Sequence, residues 1–396
     1  MDFRWTPDDE RFRQEIRDVL REELPPDWLA QVGGDEEEGG ARSEFEAEFA
    51  HKMGRRGWLT VGWPKEYGGM GWPIFQQMIF NEEMAKHKAP RKFTNAGPRM
   101  AGPVIMLHGT EEQKKRHLQP IARGETIWCQ LFSEPNAGSD LASLQTRAED
   151  MGDYFLVNGQ KIWTSQAHDA QWGIMLARTN QGVPKHKGIS YLLVDMKLPG
   201  ITIRPIYNMA DVHHFNEVFF DNVRVSRDCL VGQKDAGWYI ATATLNFERS
   251  GISATVPAIQ LFEELVAFAK KGVNGYKPLE ANPALRNKIG DMAAYLRVAI
   301  LLSWRVGWMQ ASGGPPPAYQ SALSRLYAAE LTQRLVQLGM EIMGHWGEPT
   351  QDSQMKALNG KVQKLYRGQR AITIGAGTSE IQRNTIAMRG LGLPRG

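Results

Sequence analysis

A chain of 396 residues, 42% hydrophobic and 23% charged, has the make-up of a globular protein of two or three domains or of one large multi-layer enzyme. Its net charge of +3, with both signs interspersed, excludes the basic footprint of a nucleic-acid binder, and no apolar run is long enough to span a bilayer. Two cysteines, Cys129 and Cys229, supply neither a disulfide framework nor a zinc site, and the charged N-terminus has no apolar segment, so a reducing, cytoplasmic setting is expected.

Residues 1–125 read mostly as helices. Thr6-Pro7-Asp8-Asp9-Glu10 is an N-cap with proline and acids in the first turn, and Phe12, Ile16, Val19 and Leu20 continue one face. The glycine- and acid-rich tract 33–40 is a solvated loop, a new helix starts near Ser43, and the Gly/Pro-punctuated stretch 62–71 is a turn-rich connection. Helices follow over 75–86, 98–108 and 111–122. Near Thr126 the texture becomes β: Asn158-Gly159 between apolar runs predicts a hairpin over 154–164, and 172–178, 188–196, 201–206 and 217–225 are strand candidates, giving a β domain over 126–234. From Gly237 the helical period returns over 239–271, 283–311, 318–343 and 352–369, with a last helix following Gly375-Ala376-Gly377-Thr378-Ser379-Glu380, so that 235–396 form a helical C-terminal domain.

One carboxylate stands out on this reading. Ala241, Leu245, Ile252, Val256 and Ile259 form an apolar helical stripe, and Glu248 falls on it. Burial raises a carboxylate's pKa, which suits a general base near neutral pH; pairing with a cation such as Arg249 is the plainer alternative.

The loop Gln130-Leu131-Phe132-Ser133-Glu134-Pro135-Asn136-Ala137-Gly138-Ser139-Asp140 gathers hydroxyls and small residues that can bring backbone amides near a phosphate or a planar ring, although alone it reads better as a capped surface turn before a strand. With Trp-Pro-Lys-Glu-Tyr-Gly-Gly at 63–69, Asn-Gly-Gln-Lys-Ile-Trp-Thr-Ser at 158–165, Phe-Asp-Asn-Val-Arg-Val at 220–225 and Gly-Thr-Ser-Glu-Ile-Gln-Arg at 377–383, the chain closely resembles the acyl-CoA dehydrogenase family along its length. The resemblance implies an α+β, mostly α protein: an N-terminal helical domain, a central β-barrel or sandwich, and a C-terminal four-helix bundle, with FAD between them and no metal. It implies that Gln130, Phe132 and Ser133 line the flavin ring, that Gly138 and Ser139 meet the FAD and acyl-CoA phosphates or the thioester arm, and that Thr378 and Glu380 touch FAD. Trp163 would pack beside the flavin, with Thr164 and Ser165 supplying the hydroxyl at N5; an aromatic in a sandwich core is the other reading of Trp163. Asn246 and Arg249 would face the CoA moiety, and Ala376 and Gly377 the thioester, Ala376 through its backbone N–H.

Two departures from the family pattern carry as much information as the matches. Many members carry the catalytic glutamate two residues before the threonine of the C-terminal motif, where this chain has Ala376, and a subset places the base in a Glu-Arg pair on the helix after the β domain, where this chain has Glu248-Arg249. Members usually also lend an arginine, from an Arg-x-x-Phe-Gly segment, and a Gln-x-x-Gly-Gly-x-Gly turn to the neighbouring subunit's FAD. Here those segments read Gly272-Val273-Asn274-Gly275-Tyr276 and Glu341-Ile342-Met343-Gly344-His345-Trp346-Gly347, and a glutamate facing a pyrophosphate repels it. The expected activity is α,β-dehydrogenation of an acyl-CoA thioester to the trans-2-enoyl-CoA, with electrons passed to an electron-transfer flavoprotein. The expected assembly is an α2β2 tetramer with a paralogous subunit, or otherwise a homotetramer. Bulky substrates such as steroid side chains are favoured by the missing neighbour-lending motif. A non-catalytic FAD-holding subunit and a flavin oxidase or hydroxylase on the same fold are the alternatives.

Overall fold

The computed structural model describes residues 5–31, 41–90, 96–244, 252–314, 317–349, 353 and 357–394. Residues 1–38, 73–89 and 249–396 form one compact unit, and 39–72 with 90–248 form another, so the N-terminal helical stretch contributes to both.

The first unit is helical. The Thr6 hydroxyl accepts from the Asp9 N–H at 3.2 Å and the Asp9 carboxylate accepts from the Thr6 N–H at 2.9 Å, the reciprocal cap expected from Thr-Pro-Asp-Asp, and it opens the helix Pro7–Glu23. Arg13 and Arg17 of this helix reach the fully buried Glu83 in the helix Ile74–Lys86, at 2.6 and 2.8 Å. The three long helices Ile252–Lys271, Leu285–Ala311 and Ala318–Met343 enclose Leu261, Leu265, Leu296, Leu335 and Ile342. Gly307 permits a close approach, because a Cβ there would lie 2.1 Å from the Met78 sulfur. The shorter helices Lys361–Gly368 and Ser379–Thr385 complete the C-terminal bundle against Ala318–Met343. The predicted helix over 239–271 appears as Gly237–Thr244 and Ile252–Lys271, with the seven residues that include Glu248 lying outside the described residues. Of the predicted stretch 352–369, the helical part begins with a 3-10 turn at Leu358.

The second unit is built on eight strands: β1 (Trp128–Leu131), β2 (Arg147–Asp150), β3 (Tyr154–Lys161), β4 (Trp172–Arg178), β5 (Ile189–Asp195), β6 (Ile201–Tyr207), β7 (His213–Ser226) and β8 (Leu230–Val231). They form one sheet in the order β6-β7-β3-β2-β4-β5-β8, with β1 parallel to β4. The sequence misplaced one turn. Asn158-Gly159 is no hairpin tip: both residues lie inside β3, whose pairing with β7 runs on from Tyr154↔Ser226 to Lys161↔Val218 with a register shift between Val157 and Gly159. The glycine is there for space, since a Cβ would fall 2.7 Å from the Thr146 backbone, and Asn158 accepts from the Asn222 N–H at 2.8 Å. The reversal into β3 comes earlier, closed by the Met151 N–H on the Tyr154 carbonyl with Gly152 at φ +91°.

Leu131, Phe155, Val157, Ile174, Leu192, Val218 and Val223 belong to one buried cluster with Val104 and Ile105 of the helix Gly102–His108 and Leu118 and Ile121 of the helix Glu111–Ala122. Gly102 admits the Trp63 ring from the turn-rich connection, a Cβ there lying 2.0 Å from the indole, and the Trp63 N–H donates to the Pro98 carbonyl at 3.1 Å. Among the described residues, no helix is long and apolar enough to cross a membrane, and no group of three or more His, Cys, Asp or Glu could hold a metal.

Candidate active site

In the sheet unit the predicted cofactor residues fall on two adjoining segments. The first leaves β1 with Gln130 half-buried and Phe132 buried edge-on to Tyr191, their ring centroids 6.1 Å apart. Reciprocal backbone bonds between Glu134 and Ala137 (3.1 and 3.0 Å) close a tight turn, after which Gly138 and Ser139 stand exposed. A Cβ on Gly138 would meet nothing within 4 Å, so the chain itself does not demand glycine there and the backbone is open to approach from outside.

The second segment follows β3. The Ile162 N–H donates to the Ser133 carbonyl at 2.9 Å, which brings the two segments side by side, and the backbone then turns at Trp163, φ +59°. The Trp163 ring is 57% exposed and meets Phe215 edge-on, so it is not a core aromatic. Thr164 is the reverse: 1% exposed, with its backbone N–H and C=O both paired to Asn216 at 3.0 Å, while its hydroxyl has no partner among the described residues. A buried hydroxyl left unpaired costs roughly 1–3 kcal/mol, so this atom points to an acceptor that the chain does not supply. Ser165 is half-buried beside it.

Several residues that hold this surface carry no sequence signal tied to it. Asn216, fully buried, donates a third bond to the Thr164 carbonyl at 3.0 Å and accepts from His213 at 2.9 Å. Lys161, also fully buried, donates to the Phe132 carbonyl, the Glu134 carboxylate and the Leu176 carbonyl at 3.1, 2.7 and 2.8 Å. Burial pulls its pKa down to about 8, against the upward pull of Glu134. Burial works to raise Glu134, but the Lys161 charge and the bonds from Lys161, Thr146 and Gln145 prevail and hold it below the usual carboxylate range. The period-2 alternation Phe155, Val157, Gly159, Lys161 puts this lysine on the inward face, but nothing local in the sequence names the acceptors that meet it there.

In the helical unit, Ala376 and Gly377 are exposed at successive positive φ values, +53° and +89°. The Ala376 N–H has no acceptor among the described residues. Arg325 donates to the Ile372 and Gly375 carbonyls at 3.1 Å each, and the Gln382 amide to the Gly377 carbonyl at 3.2 Å, which fixes this loop from both sides. Thr378 caps the last helix by accepting from the Ile381 N–H. Glu380 in its first turn is exposed and sits below its usual pKa through its own backbone N–H and the Thr378 hydroxyl. Asn246, Glu248 and Arg249 lie outside the described residues.

The positions that depart from the resemblance have local partners of their own. Gly272 has φ +67°, and a Cβ would lie 2.2 Å from the Tyr276 carbonyl oxygen, so no arginine fits in this loop. The Tyr276 hydroxyl donates to the Ile342 carbonyl at 3.2 Å, Glu341 is ion-paired with Lys288, and His345 is 99% exposed.

The N-terminal, middle and C-terminal domain models of acyl-CoA dehydrogenase match residues 6–125, 129–223 and 235–391. The chain is 38% identical over 393 residues to the acyl-CoA dehydrogenase IpdE1 of Mycobacterium tuberculosis, covering 98% of both chains. It is 35% identical over 392 residues to the acyl-CoA dehydrogenase FadE29 of the same organism, again covering 98% of both. Among solved structures, the ChsE4-ChsE5 complex from Mycobacterium tuberculosis superposes with a TM-score of 0.87 at 33% identity, and the Tcur3481-Tcur3483 steroid ACAD with 0.88 at 33%, both covering the whole of each chain. Proteins of this family bind FAD, and the unpartnered Thr164 hydroxyl, the exposed Trp163 and the unobstructed Gly138 fit a planar ring and its phosphates. On the three domain matches and the full-length identity to IpdE1, this chain is a member of the acyl-CoA dehydrogenase family, an oxidoreductase.

Proposed function

We propose that this chain oxidises a bulky acyl-CoA thioester, of the steroid side-chain class, to its trans-2-enoyl-CoA. The observation that carries the reading is the Trp163–Thr164 turn, an exposed indole beside a buried hydroxyl without a partner among the described residues. Bound FAD supplies the acceptor for the β-hydride. The Thr164 hydroxyl and the Trp163 face orient it, and Gly138 and Ser139 admit phosphate oxygens. The Ala376 N–H donates to the thioester carbonyl, which stabilises the charge that develops there and acidifies the α-carbon. Glu248 takes the α-proton, because the side chain at 376 cannot.

The substrate class rests on the likeness to a structure described as a steroid ACAD, and the heteromeric assembly on the likeness to the ChsE4-ChsE5 complex. The closed Gly272 loop and the Glu341–Lys288 pair support a paralogous partner that holds the far half of FAD, in an α2β2 tetramer. Electrons leave to an electron-transfer flavoprotein.

The test is to co-express the chain with its paralogues, assay the complex against a panel of acyl-CoA thioesters, and repeat with Glu248→Gln. Loss of a general base lowers the rate by roughly 10²–10⁴-fold, so flavin should remain bound and cease to bleach. Bleaching within about tenfold of wild type, about 1.4 kcal/mol, would sink the base assignment and favour a subunit that holds flavin without catalysing.

A further inference from the structure

We propose that Lys161 is a positioning residue for the flavin-facing surface, its ammonium acting with Glu134 as a buried peg that holds the 132–138 turn in register with Trp163 and Thr164. This rests on the function proposed above for those two segments. All three ammonium protons are used, and their partners come from separate pieces of chain: Phe132 and Glu134 on either side of Ser133, and Leu176 in β4. Glu134 extends the peg, since its two oxygens also accept from the Gln145 and Thr146 N–H groups at 2.6 and 2.9 Å. Five directional bonds therefore converge where the first segment leaves β1. The next backbone link between the segments is the Ile162 N–H on the Ser133 carbonyl, and Thr164 stands two residues beyond it.

Stability does not explain this arrangement. A buried ion pair returns little net free energy against well-packed apolar residues of the same size, but breaking one side of it leaves an uncompensated charge. What the pair does provide is a single geometry: an apolar side chain at 161 could slide against its neighbours, whereas an ammonium with three fixed acceptors cannot. Arg178, in the same strand β4 as Leu176, is fixed in turn by donating to the Ala142, Leu144 and Lys185 carbonyls. The Thr164 hydroxyl is then aimed by the peg from the β3 side and by Asn216 from the β7 side.

The test compares Lys161→Met, Glu134→Gln and the double variant in the full co-expressed complex. The single Lys161→Met change strands a buried carboxylate and is expected to fold poorly. Glu134→Gln keeps an oxygen acceptor for Lys161 but leaves a buried ammonium without its counter-charge and turns an NH2 towards the Gln145 or Thr146 N–H, so it too is expected to lose stability. The double variant removes the charge with the peg and should fold. Amide exchange in the double variant, measured without FAD, should rise at least tenfold over 133–138 and 162–165 and stay unchanged elsewhere in the sheet. With FAD, its flavin absorption bands should shift and its FAD dissociation constant rise about tenfold. Unchanged exchange over the two segments overturns the proposal. So does loosened exchange with wild-type flavin bands and affinity. A wild-type complex that holds no flavin at all would refute the function instead, and the exchange comparison alone would then decide the peg.

Discussion

Replacing Thr164 with valine separates the two halves of the argument about the site, because the hydroxyl has one cost in the bare protein and another in the loaded one. Valine matches threonine in shape and in β-branching, so χ1 and the backbone bonds to Asn216 stay as they are. In the FAD-free protein the Thr164 oxygen is buried and unpartnered, so its removal breaks no protein hydrogen bond and relieves part of a desolvation cost of about 1–3 kcal/mol. The FAD-free protein should therefore be as stable as wild type, or more stable by up to about 1 kcal/mol. In the loaded protein the same change removes one hydrogen bond, worth about 0.5–1.5 kcal/mol, or roughly 2- to 12-fold in affinity for FAD. The assay is a FAD titration by fluorescence quenching alongside thermal unfolding of the FAD-free chain. A variant destabilised without FAD by more than about 1 kcal/mol, with FAD affinity untouched, would mean that the hydroxyl serves the protein and not the cofactor.

Glu83, fully buried beneath Arg13 and Arg17, is pushed up by burial but held below the ordinary carboxylate range by the hydrogen bonds and charges of those arginines and Lys86. A depressed folded pKa contributes stability above the unfolded value near 4.3, and that stability is lost as pH falls through the folded value. Glu83→Gln should cost about 3–5 kcal/mol at pH 7 and flatten the acid limb of the stability curve; urea unfolding at pH 7 and below pH 4 reads both, and an acid limb as steep as wild type would refute the assignment. Ala376 holds φ +53°, a conformation costing roughly 1–2 kcal/mol for a residue with a Cβ. Ala376→Gly should leave the melting temperature equal or higher while slowing flavin reduction by substrate, since the freed backbone no longer fixes the N–H; a rate at or above wild type would argue against that donor.

Local signals carried the helical parts of the fold well. The Thr6 cap and the helices at Ile74–Lys86, Glu111–Ala122 and Ala318–Met343 each follow from residues within a few positions of one another. The Asn158-Gly159 error shows where such signals stop. The dipeptide is the strongest short-range mark of a hairpin, but the reason for this glycine is the Thr146 backbone, thirteen residues earlier, pressing against it. The same limit applies within the site. Trp163 and Thr164 were legible as a motif, whereas Asn216, Arg325 and the partners of Lys161 act over separations of 15 to 52 residues that only the folded chain makes.

The neighbour-facing departures were legible as losses, and the structure turns them into something more specific. A lost arginine could be a simple substitution, reversible by putting the side chain back. At Gly272 it is not, because the positive φ and the Tyr276 carbonyl leave no place for a Cβ, and the Val273–Tyr276 backbone pair at 3.0 and 2.8 Å holds the loop closed. Tyr276 in turn ties this loop to the end of the helix that carries Glu341, through the Ile342 carbonyl, and Glu341 itself is neutralised by Lys288 rather than left facing an anion. Two segments nearly seventy residues apart thus support one another through Tyr276. This closed, internally paired surface supports the proposal that a different subunit holds the far half of FAD.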